Sequence, residues 1–151
     1  MPPKSWVLRK IFEFIWLLSL RKSAPPLFIV LNSLQFCKQK GGWLAEIKSS
    51  DQQAALDSIH LDTRYNYWIG LQKDDVGEWV WQHSQQKIGA WTNWGPGLPD
   101  NVNQNEGCTE TFFLKKIFSG KWKWNDISCA NTAGASSREI RPLCQADMLE
   151  Q

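Results

Sequence analysis

Cysteine stands at only four positions, 37, 108, 129 and 144, and that placement limits what the chain can fold into. No two of them form a C-x-x-C pair, which argues against a zinc knuckle. An even number at wide spacing suits two disulfides, and disulfides belong to an oxidising compartment. Four cysteines can pair in more than one way, and spacing alone does not choose between the pairings. A chain of 151 residues is long enough for one domain with a tail.

Ten tryptophans accompany only two tyrosines and two methionines, and large indoles of this kind first read as core. The net charge is +2, with Lys and Arg scattered rather than striped, which argues against a dedicated nucleic-acid binder. Near the N-terminus, "KSWVLRKIFEFIWLLSLRK" sets basic residues before an apolar run from Ile11 to Leu20 that contains Glu13. The run is too short for a membrane span. A signal segment, an amphipathic helix and an alternative first segment all remain open for residues 1–30, and Pro25 and Pro26 mark a boundary.

Beyond that boundary, "LNSLQFCKQK" (31–40) predicts a helix stopped by Gly41 and Gly42. "SSDQQAALDSIH" predicts a second helix over about 51–60, with Ser49 and Gln52 in capping-box spacing and Asp51 adding charge at the N-terminus. Segments 43–47, 67–71, 78–82, 108–114, 121–127 and 139–145 carry strand character. Helices first and strands afterwards predict an α+β fold. Between Gln82 and Asn105 runs a long polar segment rich in turn residues, and a loop of that length in a compact domain is usually functional or disordered, with Trp91 and Trp94 arguing against disorder. Trp91 and Trp94 within it are candidates to anchor it to a core.

Acids and amides gather at Asp100, Glu106, Asn125 and Asp126. Hard oxygen ligands on loops, without histidine close by, suit calcium rather than zinc. Solvated loop residues are the plain alternative.

In order along the chain stand a helix ending in Cys37, "GGWLAEI", "YWIGL", "WVW", "WTNW", "LPDN", "NEGC", "WNDISC" and "RPLC". This series, from about Leu31 to Gln145, closely resembles the C-type lectin-like domain. The resemblance implies two helices, small antiparallel sheets, a long ligand-binding loop and two disulfides, Cys37–Cys144 and Cys108–Cys129. On the chain-entropy account those bridges would contribute roughly 4–5 and about 3 kcal/mol. The inner bridge would also pin the Glu106 segment near Asn125 and Asp126. The domain would span 31–147, with 148–151 as a tail.

The family's calcium-and-sugar site combines an EPN or QPD triplet, a Glu two positions before the first cysteine of the inner pair, and a WND triplet. Glu106 and Trp124-Asn125-Asp126 match. Leu98-Pro99-Asp100 stands at the first triplet, with Asp100 in the manner of the galactose-type QPD and Pro99 resembling the family's cis-proline. Leu98 departs, since it offers no side-chain oxygen. The resemblance therefore implies a Ca2+ site of Asp100, Glu106, Asn125 and Asp126 that has lost one family ligand, and a sugar site weakened with it. Trp122 reads as core or as a stacking surface for a sugar, Trp124 as core, and His60 and His83 as ordinary surface or partly buried residues. The family's opening strand is missing, and "LFIV" (27–30) is the candidate to replace it.

Two functions follow. One is a secreted, extracellular, calcium-dependent carbohydrate-binding lectin domain with galactose-type preference. The other keeps the fold, drops calcium and sugar, and recognises a protein or other cell-surface ligand. Homo-oligomerisation fits either, and neither involves nucleic acid or a membrane span. No G-x-S-x-G or H-E-x-x-H motif occurs, so no enzyme is expected.

Overall fold

The computed structural model describes residues 29–115 and 120–147. The readings made above for residues 1–28 and for the tail 148–151 lie outside the described residues. Helix α1 spans Val30–Gln39. Its end is a Schellman turn: the Gly42 N–H donates to the Cys37 carbonyl (2.9 Å) and the Gly41 N–H to that of Lys38 (3.0 Å), with Gly41 at φ +79°. Helix α2 spans Ser50–Ser58, and Ser49 Oγ accepts the Gln52 N–H. The return bond of the cap goes one residue earlier than a capping box requires, from the Lys48 N–H to Gln52 Oε1 (2.5 Å).

Among the described residues eight short strands form: β1 Trp43–Leu44, β2 Asn66–Ile69, β3 Leu71–Lys73, β4 Trp79–Trp81, β5 Cys108–Leu114, β6 Lys121–Ile127, β7 Ile140–Pro142 and β8 Cys144–Gln145. They fall in the predicted segments, except that β2 and β3 run past the two ends of 67–71 and that 139–145 divides into β7 and β8. The expected strand over 43–47 is confined to its first two residues. "YWIGL" breaks at Gly70, whose missing side chain lets the backbone pass the Leu44 carbonyl; a Cβ there would lie 2.8 Å from that oxygen.

A central sheet runs in the order β6-β5-β2-β7, flanked by the pairs β1-β8 and β3-β4. The small sheets pair antiparallel as expected, with the addition of one parallel pairing, between β2 and β7. Strand β8 pairs with β1. Of the proposed substitute strand 27–30, Ile29 caps α1 and Val30 begins it; residues 27 and 28 lie outside the described residues. Both disulfides form as the resemblance implied, Cys37–Cys144 with Cα atoms 5.4 Å apart and Cys108–Cys129 at 5.1 Å. Among the described residues no helix is long and apolar enough to cross a membrane.

The core is built on indoles. Trp124 is fully buried, and Trp81, Trp91 and Trp94 meet its ring edge-on at centroid distances of 5.6–5.7 Å. Trp122, two residues earlier on the same face, is buried against Tyr67 and Phe113. That settles the choice left open for Trp122: it is a core residue, and its ring has no free face for a sugar.

A carboxylate cluster at the open edge of the sheet

β6 is the edge strand of the central sheet, and the long loop is fastened to its free edge. The Trp124 N–H donates to the Asn93 carbonyl and the Gly95 N–H to that of Trp124, both at 2.9 Å. Asn93, itself buried, donates from Nδ2 to the Trp122 carbonyl. With Trp91 and Trp94 seated on Trp124, the polar segment is anchored as its tryptophans suggested.

Past this anchor the chain turns through Gly95-Pro96-Gly97-Leu98. Proline takes the second position, glycine at φ +76° takes the third, and the Leu98 N–H closes on the Gly95 carbonyl (3.1 Å). This is the residue pattern of a type II turn. The Leu98–Pro99 bond is cis. Leu98 leans over bare Gly95 beside Phe112, since a Cβ at Gly95 would stand 3.0 Å from Leu98 Cδ1 and 3.1 Å from Phe112 Cζ. It adds apolar contact to this turn and no oxygen.

Three of the four predicted ligands come together. One carboxylate oxygen from each of Asp100, Glu106 and Asp126 lies within 4.8 Å of the others. Asp126 is fully buried on β6 and clamps the loop: Oδ1 accepts the Asp100 N–H (3.0 Å) and Oδ2 the Asn101 N–H (2.8 Å). Glu106 closes the far side by accepting the Val102 N–H (2.9 Å), and its own N–H donates to Asn101 Oδ1 (3.2 Å). Burial raises the Glu106 carboxyl above its ordinary value. The Val102 N–H opposes that rise, while the charges of Asp126 and Asp100 add to it.

The fourth residue, Asn125, is engaged elsewhere. In the β5–β6 register it faces Glu110, whereas Asp126 faces Thr109, so the two side chains leave β6 on opposite faces. Asn125 Nδ2 donates to Glu110 Oε1 at 2.9 Å.

Two residues of this region were not singled out in the sequence. Asn101 ties Asp126 to Glu106, at a left-handed backbone position (φ 48°) that asparagine tolerates. Glu110 is an acid at a fully buried strand position. The only signal for it was a carboxylate amid the β-branched and aromatic residues of "CTETFFL".

A hard divalent cation fits this donor set. Oxygens bound to calcium at about 2.3–2.6 Å can be up to about 5 Å apart, and the three carboxylates meet that spacing. Three like charges close together are also an arrangement that a cation relieves.

Comparison with known proteins agrees with the fold. The family profile described as Lectin C-type domain matches residues 29–135. L-selectin of Mus musculus is 33% identical over 100 residues, covering 65% of this chain and 26% of the selectin. Perlucin of Haliotis laevigata is 32% identical over 97 residues, covering 62% of this chain and 59% of perlucin. The chain thus spans less than two thirds of either relative. Among solved structures, the C-type lectin domain of murine dendritic cell inhibitory receptor 2, in complex with N-glycan, superposes with a TM-score of 0.61. The identity is 27%, over 78% of this chain and 81% of that one.

Proposed function

The chain belongs to the C-type lectin domain family, and from that premise we propose that it is an extracellular carbohydrate-recognition domain whose sugar binding depends on calcium. The observation that carries this reading is the convergence of Asp100, Glu106 and Asp126 beneath an ordered loop. Those three carboxylates would hold the ion, with Asn125 as a fourth donor from the same open edge of β6. Calcium at such a site supplies a charge that vicinal hydroxyls of a sugar can ligate.

The chain's own residues do the rest. Asp126 fixes the backbone of Asp100 and Asn101, and Glu106 fixes that of Val102. Carboxylate oxygens at the rim accept hydroxyl protons. Asp100 at the third triplet position supports a galactose-type preference. Leu98 supplies neither a ligand nor a hydrogen bond to a hydroxyl, which lowers affinity for both ion and sugar. Shallow sites of low single-site affinity gain from multivalency, so self-association belongs to this reading.

Leu98 also carries a second reading, in which the same loop presents a surface to a protein ligand and needs no ion. Calcium titration by calorimetry, followed by retention on galactose and mannose matrices with chelator release, separates the two. The lectin reading expects calcium-dependent, chelator-reversible retention on galactose, strengthened in Leu98→Gln. If the native chain binds neither calcium nor sugar and Leu98→Gln creates both, the second reading holds.

A further inference from the structure

Glu110 sits in the middle of β5 with no exposed surface. Three N–H donors from three different segments converge on it. Asn66 Nδ2 on β2 reaches Oε2 (3.0 Å), while Asn125 Nδ2 on β6 (2.9 Å) and the Ala135 backbone N–H (2.7 Å) both reach Oε1. Room for the carboxylate comes from Gly134, where a Cβ would stand 1.7 Å from Oε2. Every named partner of the carboxylate is a donor, so the arrangement suits a group that only accepts.

That one-sidedness has a consequence at the carboxylate cluster. A primary amide is a two-ended group, donating from nitrogen and accepting at oxygen. Facing a pure acceptor, Asn125 must turn its nitrogen toward Glu110, which turns Oδ1 away. Without Glu110 the two ends of the amide are nearly the same in shape, and packing does not choose between them.

We infer that Glu110 is a positioning residue: it sets the polarity of the Asn125 amide, so that oxygen rather than nitrogen is offered at the open edge of β6 beside Asp126. This inference rests on the reading of that edge as a calcium-and-sugar site. Glu110 itself touches neither ion nor sugar. It acts through the amide, as outer partners of metal ligands do.

Glu110→Met tests it. Methionine keeps the length of the side chain but offers no oxygen to the Asn125 nitrogen, so nothing then fixes the polarity of the amide. In Glu110→Gln the oxygen would stay at the Oε1 position to meet the Ala135 N–H and would still accept from Asn125. Calcium affinity in the full chain should fall by about 10–100-fold, the usual cost of losing such a partner. Adding Asn125→Asp to Glu110→Met should restore it, because a carboxylate has oxygen at both ends and needs no partner to orient it. A general loss of packing would not be rescued in this way.

A second measurement needs neither calcium nor a variant. In the calcium-free native protein, the Asn125 Nδ2 protons should exchange slowly with solvent and show an NOE to the Ala135 N–H. Absence of that shielding overturns the inference, whether or not the variants fold. So does an unchanged calcium affinity in Glu110→Met, or a failure of Asn125→Asp to restore binding. A native chain that binds no calcium sinks the calcium reading instead, and the amide measurement then still decides whether Glu110 orients Asn125.

Discussion

Asp126→Asn isolates the clamp that holds the loop on the sheet. In the native protein each carboxylate oxygen takes one backbone N–H, from Asp100 and from Asn101. Asparagine keeps the shape and one acceptor, but sets an NH2 against the other N–H. One charge-assisted bond, worth about 1.5–3 kcal/mol, is lost, and the remaining one weakens to the neutral value of about 1 kcal/mol. Removing a negative charge near Asp100 and Glu106 offsets part of this, because Asp126 is among the groups that raise the Glu106 carboxyl.

The net expectation is about 2–3 kcal/mol against loop closure, or roughly 30–150-fold in the local opening equilibrium. Hydrogen exchange in calcium-free buffer reads this residue by residue. The Asp100 and Asn101 amides should exchange faster by that factor. The Gly95 and Trp124 amides, held by the anchor between loop and β6, should change little. Unchanged exchange at Asp100 and Asn101 would refute the clamp. Equal loss of protection at Gly95 and Trp124 would show that the loop opens as one unit, with no separate contribution from Asp126.

Trp122→Ala should cost about 3–5 kcal/mol in urea denaturation, as truncation of a buried aromatic does, whereas Trp122→Phe should leave sugar retention unchanged because the ring is buried. Glu46 gives a pH test. Burial works to raise its carboxyl, but the Lys48 ammonium and the N–H of Ser84 hold it below the ordinary 4.5. A depressed carboxyl contributes stability that is complete above the ordinary value and lost as pH falls through the folded-state one. Native stability should therefore drop more steeply below about pH 4.5 than that of Glu46→Gln, measured by denaturation at successive pH values.

Local chemistry was the most readable part of the fold. Gly41 and Gly42 ended α1 and Ser49 capped α2, because caps are decided within a few residues. The order of cysteines and tryptophans carried the disulfide pairing through family likeness. Pairings between distant segments were not readable. Nothing in "EIRPLC" distinguishes a parallel partner of β2 from an antiparallel one, and Gly70 looked like part of one strand until the Leu44 backbone was seen to pass against it. Glu110 was missed for the same reason, since its meaning lies in Asn66, Asn125 and Ala135, which are remote in sequence.

The sequence showed that Leu98 offers no side-chain oxygen, but not which contacts it makes. Several protein groups hold the loop around it. Trp91 and Trp94 rest on Trp124, Leu98 covers Gly95, Asp126 takes two backbone N–H groups and Glu106 a third. A loop ordered by its own contacts leaves little ordering for a ligand to do, and preorganisation of this kind strengthens binding without adding a contact. On the proposed calcium reading, the missing oxygen at position 98 and these loop contacts act in opposite directions on affinity for the ion. Their separation is measurable: Leu98→Gln restores the oxygen at the expense of the apolar contact over Gly95, whereas Asp126→Asn loosens the loop and leaves Leu98 in place.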